Sequence, residues 1–206
     1  MSVQEQAIEH VHRDDIRSKM GMWLFLFSEL LLFGGLFFIY SVYRFLHQQD
    51  FSIASKAMNT FLGTLNTVIL LTSSLTMALS ITAMQKNKKI LSIILQLVTI
   101  LFGISFMVNK VIEWGHEFSV GNFPGSSLLA AKPQGQILYY GLYYSMVGLH
   151  GLHVLVGMTV IAFMTVFTIR GKITHDNYVK LEAAGLYWHL VDIIWIFLYP
   201  LFYLIT

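Results

Sequence analysis

The sequence predicts an all-α, polytopic membrane protein: a bundle of five transmembrane helices with its N-terminus cytoplasmic and its C-terminus outside. Three observations carry that prediction. Of 206 residues, 56% are hydrophobic and only 12% are charged, against about 25% charged in an ordinary soluble domain. The apolar residues, including 16 Phe, 10 Tyr, 10 Met and 4 Trp, exceed what one soluble core of this size needs and fall into long uncharged blocks. Lys and Arg, finally, are concentrated in alternate segments between those blocks.

The first twenty residues, MSVQEQAIEHVHRDDIRSKM, mix both charge signs without an apolar stretch. They read as a cytoplasmic tail, residues 1–21, and not as a cleaved signal peptide. Residues 22–206 then form one five-helix transmembrane domain. Uncharged runs place its spans at about 22–43, 61–83, 90–111, 137–169 and 186–204. Twenty helical residues cover the roughly 30 Å hydrocarbon core. The fourth run is too short for two spans and a turn, so it reads as one long helix, tilted or projecting. Its Gly141, Gly148, Gly151 and Gly157 allow a neighbour to approach closely.

Nine of the thirteen basic residues, Arg13, Arg17, Lys19, Lys86, Lys88, Lys89, Arg170, Lys172 and Lys180, fall on the N-terminal side. Arg44, Lys56, Lys110 and Lys132 fall on the other, which fixes the predicted orientation. The short basic connection QKNKK makes the second and third helices antiparallel neighbours, and the longest loop, 112–136, lies outside with Pro124 and Pro133.

Several function classes drop out. Zero cysteines exclude disulfides, thiolate metal sites, iron–sulfur clusters and c-type haem attachment. Any metal would need His or carboxylate ligands. A formal charge of +2 is too small a bias for a nucleic-acid partner. The chain has no Walker-type loop, no HExxH, no serine nucleophile elbow and no broken-helix pair in matching halves.

Polar residues inside the spans need a reason, since a carboxylate at mid-membrane costs roughly 2.5–3.5 kcal/mol on insertion scales. Glu29, in WLFLFSELLLF, has no basic partner within a helical turn. Such a carboxyl is expected to hold a proton or to hydrogen-bond across helices. It reads equally as a proton-active or lipid-headgroup group and as interhelical glue.

His150 and His153 stand in the fourth helix and His189 beside Asp192 in the fifth. At about 100° per residue, Glu182, Gly185, His189, Asp192 and Tyr199 share one sector that must face protein. Ligation of haem or a metal is one reading of these histidines, hydrogen bonding between helices the other. The polar and small residues of the third helix (Ser92, Gln96, Thr99, Gly103, on through Lys110 to Glu113) and of the second (Gly63, Asn66, Thr67, Ser74, Ser80) read as packing surfaces. Trp114 reads as an interface anchor, and His116 and Glu117 as solvated loop residues.

GLHGLHVLVG (148–157) together with LEAAGLYWHLVDIIWIFLYPLFYL (181–204) resembles subunit III of the haem–copper terminal oxidases. WLFLFSELLLFGGLFF (23–38) is similar to that family's helix bearing the buried glutamate, and VIEWGHEF (111–118) to its acidic–aromatic segment. The likeness runs from about Arg17 to the end. It implies a non-catalytic accessory subunit of a proton-pumping oxidase that reduces oxygen to water, part of an oxidoreductase complex in a bacterial plasma (inner) membrane. Its role would be to support the stability, proton uptake and lipid and oxygen access of subunit I.

The resemblance assigns no catalytic residue and no metal ligand. Glu29 matches the carbodiimide-reactive glutamate, and His150, His153, His189, Asp192, Glu182 and Glu113 form a structural polar set. Haem and copper belong to subunit I, the direct partner. Subunit II, a small subunit IV, membrane lipids and a larger respiratory assembly complete the expected partners, and phospholipid is the ligand the family allows. The chain departs from mitochondrial-type members in lacking their first two helices, which removes half of the lipid cleft. LEAAGLYWH and SEL are closer to the cytochrome c branch, while a quinol oxidase subunit III and a nitric-oxide-reductase accessory protein remain alternatives. A bis-His haem-b electron carrier is the reading from another class.

Overall fold

The structure, a computed structural model, describes the backbone of residues 3–205 and the side chains of residues 20–205. Arg13, Arg17 and Lys19, used above for orientation, have side chains outside that range. Seven helices follow in order: α1 (Val3–Leu46), α2 (Gln48–Lys56), α3 (Thr60–Gln85), α4 (Lys89–Val120), α5 (Ser127–Ala130), α6 (Gln134–Ile169) and α7 (Val179–Tyr203). Among the described residues, five helices are long and apolar enough to cross a membrane: Met20–Leu46 of α1, and the whole of α3, α4, α6 and α7. The five predicted spans are therefore present.

Their limits differ from the expected ones where polar residues lie inside a helix. α4 continues past 111 to Val120, and α7 begins at Val179, before the expected 186. The apolar run alone sets neither end, because α4 buries Glu113 and Glu117 on its inner face. Glu117, expected in a solvated loop, is a buried helical residue whose Oε2 accepts from Asn122 Nδ2 at 2.9 Å. Lys132 in turn donates to Asn122 Oδ1 at 2.6 Å. His116, expected in the same loop, is exposed but lies within α4.

The helix ends follow from local chemistry. Asn59 caps α3, its Oδ1 accepting from the Leu62 N–H at 3.1 Å. α4 stops at Gly121, whose φ of 81° suits glycine. The Asn122 N–H then returns to the Glu117 carbonyl at 3.0 Å. Lys89 Nζ covers the terminal Ile169 carbonyl of α6 at 3.1 Å, tying the α3–α4 turn to that helix end. α7 contains Pro200, which cannot donate back along the helix. The last α7 carbonyls are met instead by side chains of other helices: Tyr40 donates to Leu201 O, Tyr139 to Phe202 O at 2.5 Å and Ser55 to Phe202 O at 3.1 Å.

α3, α4, α6 and α7 form a four-helix ring in which each packs on two neighbours, with α4 and α7 diagonal. Their side chains meet across the middle, as the 4.9 Å separation of the Phe106 and Trp195 rings shows. α1 lies outside this ring against α6 and α7, and α2 folds over the end of α6. In its most apolar window α7 is 61% buried and α1 only 11%, so α7 is the most enclosed of the five spans and α1 the least.

The outer surface is apolar, and the mostly apolar interior also holds polar side chains. Asn66, Ser73, Ser80, Ser92, Gln96, Thr99, His150 and Asp192 are buried, whereas Trp23, Phe27, Phe38, Phe61, Ile90 and Val111 are exposed. A lipid phase supplies no driving force to bury apolar side chains, so hydrogen bonds and close packing hold the helices. Ser80 with Ser92 (3.1 Å), Thr76 with Thr99 (2.7 Å) and Asn109 with Asn66 (2.9 Å) stitch α3 to α4; Thr76 and Asn109 lie outside the expected stripes, and Thr67 and Ser74 of the second-helix stripe bond to α7. Trp188 fills the space opposite Gly157, where an added Cβ would stand 2.8 Å from its ring.

Candidate functional site: an embedded carboxyl pair and a layered polar core

Glu29 faces inward from α1 and meets α6. Its Oε2 lies 2.9 Å from His153 Nε2, with both side chains 14% exposed. The other ring nitrogen, Nδ1, is 2.7 Å from the Leu149 carbonyl. A carbonyl only accepts, so Nδ1 carries a hydrogen. One further proton is then shared between Glu29 and Nε2, as a neutral acid with a neutral imidazole or as a carboxylate with an imidazolium. Both arrangements have zero net charge, which is how the helix tolerates the pair. Phe33 packs edge-on against the imidazole at 5.4 Å, and Tyr187 from α7 donates to the His153 carbonyl at 3.1 Å. The pair thus also fastens α1 to the ring.

Towards the C-terminal end of α7 a second constellation joins three helices. Lys110 Nζ donates to Glu113 Oε2 at 3.0 Å and to the Tyr203 hydroxyl at 2.6 Å. Tyr143 donates to Glu113 Oε1 at 2.6 Å, and Tyr203 donates to the same oxygen. The ammonium also lies 4.6 Å from the Trp195 ring centre, a cation–π contact in a desolvated setting. The sequence pointed to Glu113 as acidic and to Lys110 as part of a stripe. Its tyrosines were not singled out, because Tyr143 and Tyr203 look like any other interfacial aromatic until α6 and α7 are brought together.

The remaining predicted residues do not gather into one cluster. His150 is fully buried, its ring 5.6 Å from Phe106 and 5.3 Å from Trp195, and neither ring nitrogen has a partner among the described residues. His189 Nδ1 is 2.6 Å from Ser74 Oγ on α3. Asp192 is 2% exposed with both oxygens unpartnered among the described residues. The α7 sector expected to face protein faces α3: Tyr199 meets Thr64 at 2.6 Å, His189 meets Ser74, and a Cβ at Gly185 would strike Ile81. Glu182 is half-buried in the first turn of α7. Trp114, expected as an interface anchor, packs against Tyr144 at 5.2 Å.

Among the described residues no group of three or more His, Asp or Glu side chains could hold a metal ion. Both nitrogens of His153 are engaged, His189 is held by Ser74, and His150 is enclosed by two aromatic rings. These histidines bind other protein groups or pack against them, and the set does not fit a bis-His haem.

Comparison with known proteins gives one answer along the whole chain. The sequence model for cytochrome c oxidase subunit III matches residues 3–206. A cytochrome c oxidase subunit 3 from Alkalihalophilus pseudofirmus is 32% identical over 198 residues, covering 95% of this chain and 91% of the relative. A probable quinol oxidase subunit 3 from Staphylococcus saprophyticus is 30% identical over 207 residues, covering 100% and 97%. A cytochrome c oxidase subunit 3 from Thermostichus vulcanus is 30% identical over 201 residues, covering 97% and 93%. With five membrane-length helices, an embedded Glu29–His153 pair and this match from end to end, the chain belongs to the cytochrome c oxidase subunit III family.

Proposed function

We propose that this protein is the non-catalytic subunit III of a haem–copper terminal oxidase in a bacterial plasma membrane, docked on subunit I and acting on it indirectly. The observation that carries this reading is the family match over residues 3–206, and the way the histidines are used supports it. Haem and copper reside in subunit I on this reading, with subunit II and a small subunit IV in the same complex. The uneven basic residues support a cytoplasmic N-terminus and an outside C-terminus.

Glu29 and His153 support a role at the protein–lipid boundary. The pair lies in the groove where α1 meets α6, next to an apolar pocket of about 290 Å³ lined by Met22, Phe25, Val156, Val160, Lys180 and Tyr187. A lipid acyl chain fits such a pocket, with Lys180 as a cation for the headgroup. Bound lipid and the polar contacts between helices would brace subunit I, sustain its proton uptake and slow its inactivation during turnover. Relatives with cytochrome c and with quinol oxidase names match almost equally well, so both donors fit.

Purification of the tagged chain in mild detergent tests the assignment, with absorption spectra of the whole preparation and of this chain after it is stripped away. Haem and copper are expected to stay with a large partner while the chain is colourless. A Soret band in the isolated chain would overturn the reading, and the partner's reaction with cytochrome c or quinol would name the donor.

A further inference from the structure

We propose that the groove between the C-terminal ends of α1 and α7 binds one anionic glycerophospholipid, with Arg44 as the residue that holds its phosphate. The two helices run parallel, and their facing residues keep step. Phe25 meets Tyr187 at 5.8 Å, Phe37 meets Phe197 at 6.1 Å, and the Tyr40 hydroxyl donates to the Leu201 carbonyl. From that last bond onwards a cavity of about 500 Å³ opens between them. Phe45, Leu201 and Ile205 give it apolar walls, while Arg44 and Gln48, both exposed, supply its polar donors.

Arg44 stands at the level of lipid headgroups. It follows Trp23, the exposed aromatic at the other end of the span, by 21 residues. At about 1.5 Å per residue that distance is the roughly 30 Å of a hydrocarbon core. Among the described residues no carboxylate pairs with the guanidinium. Asp50, the next acidic residue along the chain, is turned to α6, where a Cβ on Gly135 would collide with its carboxylate. No acidic residue lines the cavity either. The groove thus offers a planar, permanently charged fork for a phosphate, an amide for glycerol hydroxyls, and nothing to pair with an ammonium headgroup. Its charge complements a lipid of the phosphatidylglycerol type and not a zwitterionic one. Towards the membrane centre the Phe37–Phe197 pair, with Phe197 exposed, continues the apolar surface along which an acyl chain lies. A free phosphate would leave those walls uncovered.

The site is separate from the pocket beside Lys180. That pocket is lined by Met22 and Phe25 near the other end of the α1 span, so the two lie in opposite leaflets. The proposal needs only that α1 and α7 cross the membrane, and it holds whichever complex the chain joins.

The test uses the whole complex, purified in detergent, freed of loosely held lipid and titrated with phosphatidylglycerol carrying a photoactivatable group beside the headgroup. Crosslinks are expected within residues 41–48 and 201–205. Arg44→Gln, at an exposed position, should weaken their formation about tenfold, the effect of losing one hydrogen bond to a charged group. Arg44→Lys should restore part of it. Leu201→Trp, which fills the cavity and leaves the cation in place, should lose the crosslinks too, whereas Lys180→Gln should keep them. Equal labelling of the wild type and Arg44→Gln would overturn the proposal, as would a phosphatidylcholine probe that labels these residues as strongly. Displacement of the probe by inorganic phosphate would overturn it as well, by showing a bare anion site, and loss of the crosslinks in Lys180→Gln would show that there is one lipid site and not two.

Discussion

Near the C-terminal end of α7, Lys110, Glu113, Tyr143 and Tyr203 satisfy one another across three helices, and both carboxylate oxygens receive donors. Elsewhere in the same bundle, His150 and Asp192 are also buried, and their polar atoms have no hydrogen-bond partner among the described residues. The two layers share a burial and differ in what burial demands. A complete network holds three helices in one register and makes each member costly to remove. An orphaned group costs stability as it stands, so it is either dispensable to the fold or kept for another purpose.

Removing one member of the complete network has the largest expected effect. Glu113→Leu strands Lys110 and two phenols, and should cost about 3–5 kcal/mol. Thermal unfolding and retention of the subunit in detergent would measure it. The double variant Lys110→Met/Glu113→Leu should regain most of that loss, because an apolar pair of similar volume needs no partner. If the double variant is as unstable as the single one, the network is not the electrostatic unit described here.

Beyond the His150 and Asp192 layer, one turn before Asp192 on α7, Trp188 is clamped by a 3.1 Å bond to Ser73 Oγ and by close contact with Gly157. Gly157→Val should overpack this plug and cost about 1–3 kcal/mol, visible as a lowered melting temperature and a changed tryptophan emission. An unchanged melting temperature would show that the ring can move aside.

A smaller effect is expected at the α1 boundary. Glu29→Gln removes the shared proton from the His153 pair and should cost about 1.5 kcal/mol, the lower part of the range for a hydrogen bond to a charged group. It should also abolish carbodiimide labelling at this position. Labelling that persists at full yield would place the reactive carboxyl elsewhere. At the bottom of the scale, His150→Phe should change stability by less than about 1 kcal/mol, in the stabilising direction. It trades two unpartnered ring nitrogens for a ring that still packs on Phe106 and Trp195. A loss of several kcal/mol would mean that those nitrogens have partners in the assembled complex.

The spans were legible in sequence because membrane thickness imposes an apolar run of known length on each helix. The ends of α4 and α7 were less so: a helix can continue through Glu113 and Glu117 once its neighbours supply donors. The same limit explains the polar residues. Glu29, His150, His153, His189 and Asp192 stood out as residues that hydrocarbon would not tolerate unpaired, yet nothing in their spacing separated the paired His153 from the orphaned His150 three residues away. The facing sector of α7 was readable from its period, whereas the identity of the facing helix, α3, was not.

By itself, then, the sequence determined the class of molecule, the number of spans, the polar stripes on which they pack and the family motifs, all of which are properties of one helix against a solvent. The tertiary structure alone decided that Glu29 meets His153, that Lys110 and Glu113 share two tyrosines from other helices, that His189 reaches Ser74, and that Asp192 is left over. The reason is that a side-chain hydrogen bond between helices depends on the rotation and height of both. A rotation of one residue, about 100°, would turn any of these groups away from its partner without altering the hydropathy of either span.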